Sequence, residues 1–347
     1  MLARRDAIHH LLRLGLLTPD DVVSRPITVT AYVGRSHVVR VETPGAPSFI
    51  VKQPRDVRAP DAMTMWTEAA IFWLSANEPA FAPLVRWMPK YYHYDEPNAI
   101  LTIELVQSAD SLLAKLATAG AVQPAMLHDA GCAFGVLHGS VSSILNDERT
   151  RSLFRTGPAW ALTLGSSHVH YTPSTNAARA ILAHVMQRAD ALAALERSRA
   201  TWRDAHVIHG DAKAANVLVL GDGSIRVIDW EIAALGDGLW DLAGLVQSLL
   251  VPNPMEGALP LATAQQHARP LLDALWNGYL SALPETPPGD DPRVTMLRLA
   301  GVRMVQTCLE SAQFTEQVHP SVQNVLAMGL ELMTQPEASR ERWERAA

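Results

Sequence analysis

Apolar and polar positions alternate through residues 27–53. Ile27, Val29 and Ala31 share one strand face, and Val38, Val39 and Val41 lead into a turn at Pro44-Gly45. Ser48-Phe49-Ile50-Val51-Lys52 follows as a further strand. The period then changes: over residues 62–74, Met65, Ala69, Phe72 and Trp73 fall at helical spacing around Glu68. Two more strands are expected at residues 90–94 and 99–106. These segments predict a small antiparallel sheet carrying one main helix.

Beyond Ser108 the period is helical, with helices expected at residues 111–116, 126–138 and 177–197. The shift separates a sheet-rich N-terminal part, residues 1–106, from a larger and mostly helical part, residues 107–347, linked around residues 104–110. The fold class is therefore α+β. Within the helical part, apolar runs at 217–220 and 225–228 flank Gly221-Asp222-Gly223-Ser224, a local hairpin signal. Helices are expected again after Asp241, with surface loops at Pro252-Asn253-Pro254 and residues 284–292, and a solvated charged tail around Arg340. At the start, Asp6, His9, His10 and Arg13 interrupt the apolar run that a signal peptide would keep. An amphipathic helix ended by Gly15 fits better.

Composition narrows the function classes. The 347 residues are 48% hydrophobic and 18% charged, an ordinary globular profile with room for two lobes. A net charge of -6, from 29 basic and 35 acidic residues, supports neither a nucleic-acid surface nor a polybasic membrane anchor. No stretch reaches the roughly 18 apolar residues of a membrane span. Two cysteines, Cys132 and Cys308, make neither a disulfide framework nor a zinc site, so a reducing cytoplasm is expected and both read as small buried side chains. His9 with His10, and His168 with His170, lack metal partners and read as surface residues. The nine tryptophans read mostly as core.

The chemistry concentrates in Val207-Ile208-His209-Gly210-Asp211-Ala212-Lys213-Ala214-Ala215-Asn216, followed across the hairpin by Asp229-Trp230-Glu231. Phosphoryl transfer needs a carboxylate to orient the attacking hydroxyl, and oxygen ligands for a magnesium ion bridging nucleotide phosphates. Asp211 supplies the first. Asn216, five residues on, and Asp229, eighteen residues on, supply the second.

This pattern resembles the aminoglycoside phosphotransferase and choline kinase family, whose catalytic loop reads His-Gly-Asp with Asn five residues later. Gly236-Asp237-Gly238-Leu239-Trp240-Asp241-Leu242-Ala243 resembles a second motif of that family. The resemblance implies a bilobal protein-kinase-like fold and an enzyme using ATP and Mg2+. It makes Lys52, at the end of a strand, the phosphate-binding lysine, and Glu68 its ion-pair partner. Glu104 and Val106 become the adenine-binding hinge through their backbones. The phosphate-covering loop falls at residues 33–37 and lacks the Gly-x-Gly-x-x-Gly spacing. Gly34 and Ser36 are placed to offer backbone N–H groups there and Arg35 a charge, with an ordinary hairpin turn as the alternative. Asp241 is expected to brace the catalytic loop, His209 to orient rather than act as a base, Trp230 to be core, and Glu231 to be a candidate contact to substrate or metal.

The family selects acceptors through regions matching residues 157–172 and 250–334. Acidic Glu310, Glu316 and Asp290-Asp291 are offset there by Arg293, Arg298 and Arg303, so charge does not choose a polycation. Lys213, two residues past Asp211, matches a lysine that protein Ser/Thr kinases use to stabilise the transferred phosphoryl group. Trp66-Thr67-Glu68-Ala69-Ala70-Ile71-Phe72-Trp73-Leu74, with the two motifs above, is similar to phosphotransferase-like proteins of thioamitide and class V lanthipeptide clusters. That similarity implies phosphorylation of Ser or Thr in a precursor peptide, with a separate lyase as partner. Three readings stay open: a kinase of a small-molecule alcohol such as an aminoglycoside, a choline-like alcohol or a sugar; a precursor-peptide kinase; and a pseudokinase scaffold. The last usually loses one of the positions matching Lys52, Asp211, Asn216 or Asp229, and all four are present.

Overall fold

A computed structural model describes residues 4–34, 36–56, 61–118, 120–139, 141–166, 171–283 and 291–345. Helices α1 (Arg4–Arg13) and α2 (Pro19–Ser24) precede strands β1 (Thr28–Val33), β2 (Ser36–Glu42) and β3 (Phe49–Pro54), helix α3 (Asp61–Asn77), and strands β4 (Tyr91–Asp95) and β5 (Ile100–Glu104). The strands pair antiparallel in the order β1-β2-β3-β5-β4, with Val51 opposite Thr102 and Lys52 opposite Leu101. Alternation along β3 buries Phe49 and Val51 and turns Lys52 to the other face.

Helix α1 lays Ala7 and Leu11 on Val39, Val41, Phe49 and Val51, and it gives way at Gly15, whose φ of 68° lies in the left-handed region. The surface reading fits His9, which is exposed, but not His10. Three residues after Ala7, His10 shares its buried face, and its Nε2 lies 3.1 Å from Thr102 Oγ1. Trp73 departs from expectation in the opposite direction. Met65, Glu68, Ala69 and Phe72 fill the buried stripe of α3, so Trp73 lies at its edge and is half exposed.

The chain continues through β6 (Ala109–Ser111), α4 (Leu112–Leu116), α5 (Pro124–His138), α6 (Glu148–Arg151), α7 (Asn176–Met186), α8 (Ala189–Thr201), β7 (His206–Ile208), β8 (Val217–Leu220), β9 (Ile225–Val227) and β10 (Ala234–Gly236). It closes with α9 (Leu239–Leu250), α10 (Leu261–Ala282), α11 (Pro292–Ala312), α12 (Pro320–Thr334) and α13 (Pro336–Arg345). The chain folds as two compact units. One comprises Met1–Asp110, Ile144–Phe154 and Leu218–Ala233, and the other Ser111–Ser143, Arg155–Val217 and Ala234–Ala347. The first holds the five-stranded sheet, α3 and the β8–β9 hairpin. The second is mostly helical, and every residue of α9 in it is buried.

Two expectations about helices change. Residues 177–197 do not form one helix, because Arg188 is extended (φ −99°, ψ 106°) and separates α7 from α8. The buried stripe explains the break: Ala177, Ala178, Ile181 and Val185 keep helical spacing, but the next buried positions, Ala191, Ala194 and Leu195, are out of phase with them. The tail around Arg340 is not a loose end. It forms α13, which buries Ser339 and Trp343 four residues apart and donates the Trp343 indole N–H to Asp273 at 2.7 Å. Of the loop expected at residues 284–292, residues 284–290 lie outside the described residues, as do His168 and His170.

Candidate active site

In the first unit, Lys52 donates to both carboxylate oxygens of Glu68, at 2.7 and 3.0 Å, and to Asp229 Oδ1 at 3.4 Å. Glu68 is 1% exposed, whereas the Asp229 side chain keeps 37% of its surface. Burial alone would pull the Lys52 ammonium down. Glu68, Asp229 and Glu231 outweigh it and hold its pKa above the ordinary lysine value, so it stays charged. Asp229 follows β9 with φ 70°, a left-handed conformation rare for a residue bearing a side chain and frequent at functional sites. Trp230 is core, 1% exposed, with its indole N–H on the Val227 carbonyl at 3.1 Å.

The remaining expected nucleotide residues sit at the sheet. The Gly34 N–H donates to the Ser36 carbonyl at 3.1 Å in the turn between β1 and β2. Arg35 lies outside the described residues. Glu104 ends β5, donating its N–H to the Lys90 carbonyl at 2.9 Å while its Oε2 accepts the Lys90 N–H at 2.9 Å. Val106 lies two residues beyond that strand.

In the second unit, the loop after β7 is built around Asp241. This carboxylate is 0% exposed and accepts the N–H groups of His209 (2.7 Å) and Gly210 (2.9 Å), with His138 Nε2 at 3.1 Å. The buried α9 delivers further contacts: two turns past Asp241 the Ser248 hydroxyl accepts the Ala214 N–H at 3.0 Å, and Trp240, the residue before Asp241, donates its indole N–H to the Gly210 carbonyl at 3.1 Å. Gly244 makes this approach possible, since a Cβ there would stand 2.0 Å from the Ala212 carbonyl oxygen. β7 pairs with β10, placing Gly236 opposite His206, so the two sequence motifs are neighbours. Asp241 thus braces the loop, and His209 is wholly buried with Nδ1 accepting the Asp211 N–H at 3.3 Å, an orienting contact.

Asp211 emerges from this frame with both oxygens engaged. Oδ2 meets Lys213 Nζ at 2.5 Å and Asn216 Nδ2 at 3.3 Å, and Oδ1 meets Arg303 Nη2 at 3.2 Å. Burial alone would raise the Asp211 carboxyl. Arg303 and Lys213 outweigh it and hold it below the usual carboxylate range. Asn216 also donates Nδ2 to the Asp211 carbonyl at 2.9 Å, which directs its amide oxygen elsewhere as a potential metal ligand. Among the described residues, no three His, Cys, Asp or Glu side chains converge as a metal site. Asp229, in the first unit, and Asn216, in the second, are each oxygen donors of the hard kind that Mg2+ takes alongside water and phosphate oxygens.

Arg303 reads in the sequence as one charge of the acceptor region. It lies 92 residues from Asp211 on α11, and no local spacing announces it. Other charges of that region are engaged within the fold: Glu316 accepts from Asn176 at 2.8 Å, Glu310 from Gln306 at 2.9 Å, Arg293 reaches Glu344 at 3.3 Å, and Asp291 caps α11. Asp290 lies outside the described residues. Trp160 stacks on Tyr171 at 4.8 Å, and the Tyr171 hydroxyl donates to the Leu309 carbonyl. Cys308 is buried and its thiol is pushed up to about 12, as expected of a small core side chain, while Cys132 is only partly covered. No helix of the described residues is long and apolar enough to cross a membrane.

Residues 31–275 match the phosphotransferase enzyme family. Among solved structures, a choline/ethanolamine kinase family protein from Mesorhizobium loti is similar over 99% of both chains, at 15% identity and a TM-score of 0.56. Amicoumacin kinase, in complex with AMP-PNP, Ca2+ and amicoumacin, matches 95% of this chain and 94% of its own at 15% identity and a TM-score of 0.57. A fructosamine-3-kinase-like protein from Thermobifida fusca matches 92% and 96% at 18% identity and a TM-score of 0.52. At these identities the likeness establishes the fold: a five-stranded antiparallel sheet followed by a mostly helical part, as in kinases. No curated protein matches the sequence.

Proposed function

The chain belongs to the phosphotransferase enzyme family, and we propose that it transfers the γ-phosphate of ATP, with Mg2+, to a hydroxyl of a small-molecule acceptor in the cytoplasm. The observation that carries this reading is the Asp211 carboxylate, kept ionised and fixed in direction by Lys213, Asn216 and Arg303. On this reading residues 1–106 serve the nucleotide and residues 107–347 the acceptor. Amicoumacin kinase, with its bound AMP-PNP and Ca2+, lends weight to ATP and a divalent ion.

Asp211 accepts a hydrogen bond from the acceptor hydroxyl and aims its oxygen lone pair at the γ-phosphorus. An acceptor oxygen–phosphorus bond forms as the bond to the β-phosphate oxygen breaks, and the hydroxyl proton leaves by way of Asp211. Lys52, fixed by Glu68, holds the α- and β-phosphates, while Gly34 and Ser36 cover the phosphates and the backbone of Glu104 and Val106 receives the adenine. Lys213 donates to the moving phosphoryl oxygens. Asn216 and Asp229 would each offer an oxygen ligand to Mg2+, which when bound would neutralise phosphate charge.

A second acceptor class has one observation in its favour. Lys213 lies on Asp211 Oδ2 at 2.5 Å, as suits transfer to the unactivated alcohol of Ser or Thr in a precursor peptide, with a lyase downstream. One experiment addresses both classes: ATP consumption screened against aminoglycosides, choline-like alcohols, sugars and candidate precursor peptides. With the acceptor found, Asp211→Asn is expected to lower kcat by roughly a hundred- to ten-thousandfold while ATP binding persists. Unchanged turnover would remove Asp211 from the mechanism.

A further inference from the structure

Arg303 has a position that packing alone does not explain. Its neighbours on α11, Val302, Met304 and Val305, are fully buried apolar side chains, and Arg303 itself is 5% exposed. Nη2 reaches Asp211 Oδ1 at 3.2 Å and the Ala212 carbonyl at 3.4 Å, Nη1 reaches the Gly210 carbonyl at 3.4 Å, and the guanidinium lies 5.0 Å from the Trp240 ring. Its Nε is buried without a hydrogen-bond partner in the protein. An unsatisfied buried donor costs about 1–3 kcal/mol, and an apolar side chain of similar volume commonly replaces a buried ion pair at no loss of stability. A guanidinium placed here is better explained by the one carboxylate it faces.

Rotation of an aspartate about its last side-chain bond is soft, so a carboxylate held on one side swings. Lys213 and Asn216 both approach Oδ2, and Arg303 is the contact to Oδ1. Because Arg303 also spans the carbonyls on either side of Asp211, it ties side chain and backbone of that residue to α11 together. We propose that Arg303 is a positioning residue for phosphoryl transfer: it pins Oδ1 of Asp211 and so turns Oδ2, beside Lys213, to the acceptor hydroxyl. The inference rests on the phosphotransferase reading above. Arg303 touches neither nucleotide nor acceptor and acts through Asp211, so its removal lowers kcat and leaves the KM for ATP alone.

The test follows ADP formed from MgATP, with water as acceptor and with whichever alcohol of the panel raises the wild-type rate. Arg303→Met, Arg303→Lys, Arg303→Ala and Asp211→Asn are compared with wild type, and folding is checked by circular dichroism. Displacing a catalytic group by an ångström costs on the order of a hundredfold, so Arg303→Met is expected to lose about that much in kcat, with the KM for ATP within about twofold. Arg303→Lys recovers part of the loss, and millimolar guanidinium restores part of the activity of Arg303→Ala. A purely structural arginine would show such recovery in the melting temperature and not in the kcat of the folded enzyme. Should Arg303→Met not fold, the same kcat-against-KM split is read on Arg303→Lys. The inference is overturned if folded Arg303→Met or Arg303→Ala turns over like wild type while Asp211→Asn is inactive, an outcome that leaves the phosphotransferase reading standing. Absence of ADP formation by wild type with every acceptor overturns both.

Discussion

Lys52 gives its ammonium to both carboxylate oxygens of Glu68, at 2.7 and 3.0 Å, and Glu68 is 1% exposed. The pair joins β3 to α3 before any nucleotide arrives. Lys52→Met removes the ammonium that both oxygens of this buried carboxylate accept, and is expected to destabilise the fold by about 3 kcal/mol in addition to abolishing turnover. Glu68→Gln leaves Lys52 with Asp229 and an amide oxygen, for an expected loss of about 1 kcal/mol. Urea denaturation of the two variants checks the order. Equal stabilities would mean the pair contributes through nucleotide alone.

Gly244 meets the Ala212 carbonyl so closely that a methyl group would stand 2.0 Å from its oxygen. In an unconstrained helix, glycine to alanine gains about 0.8–1 kcal/mol. Here Gly244→Ala must move the segment that follows Asp211, and a net destabilisation of about 1–3 kcal/mol is expected with a loss of kcat. Thermal melting and steady-state kinetics on the same preparation read both effects.

His206 stands beside His138 on β7, its Nδ1 buried without a partner, and its pKa is lowered to about 4, first by burial and then by His138. The unfolded chain takes up a proton at this residue near pH 6.5. The folded chain takes it up only near pH 4. Between those values the unfolded state binds more protons, so stability falls as pH drops through that window, by up to about 3 kcal/mol. Denaturation midpoints at pH 7 and pH 5 should differ less in His206→Asn than in wild type.

Local patterns survive into the structure wherever one stripe or one alternation decides burial. The five strands, α3, the β8–β9 hairpin and the helix ended by Gly15 all fall where the periods place them. Where two patterns competed the sequence was silent: the phase slip after Val185 broke an expected helix, and the charged sequence of α13 hid Ser339 and Trp343, which decide its docking.

By itself the sequence determined the family and the two motifs that frame the loop, because His209 to Asn216 and Gly236 to Ala243 are contiguous and their spacing is set by backbone geometry. Tertiary structure alone decided what meets Oδ1 of Asp211 and what backs Asp241. Arg303 is 92 residues away and His138 lies 103 residues from the Asp241 it contacts, so both meet their partners through helix packing that no local period encodes. The pairing of Lys52 with Glu68 stands between these cases: the resemblance named both residues, but only the sheet register and the buried face of α3 bring a charge on a strand and a charge on a helix to 2.7 Å.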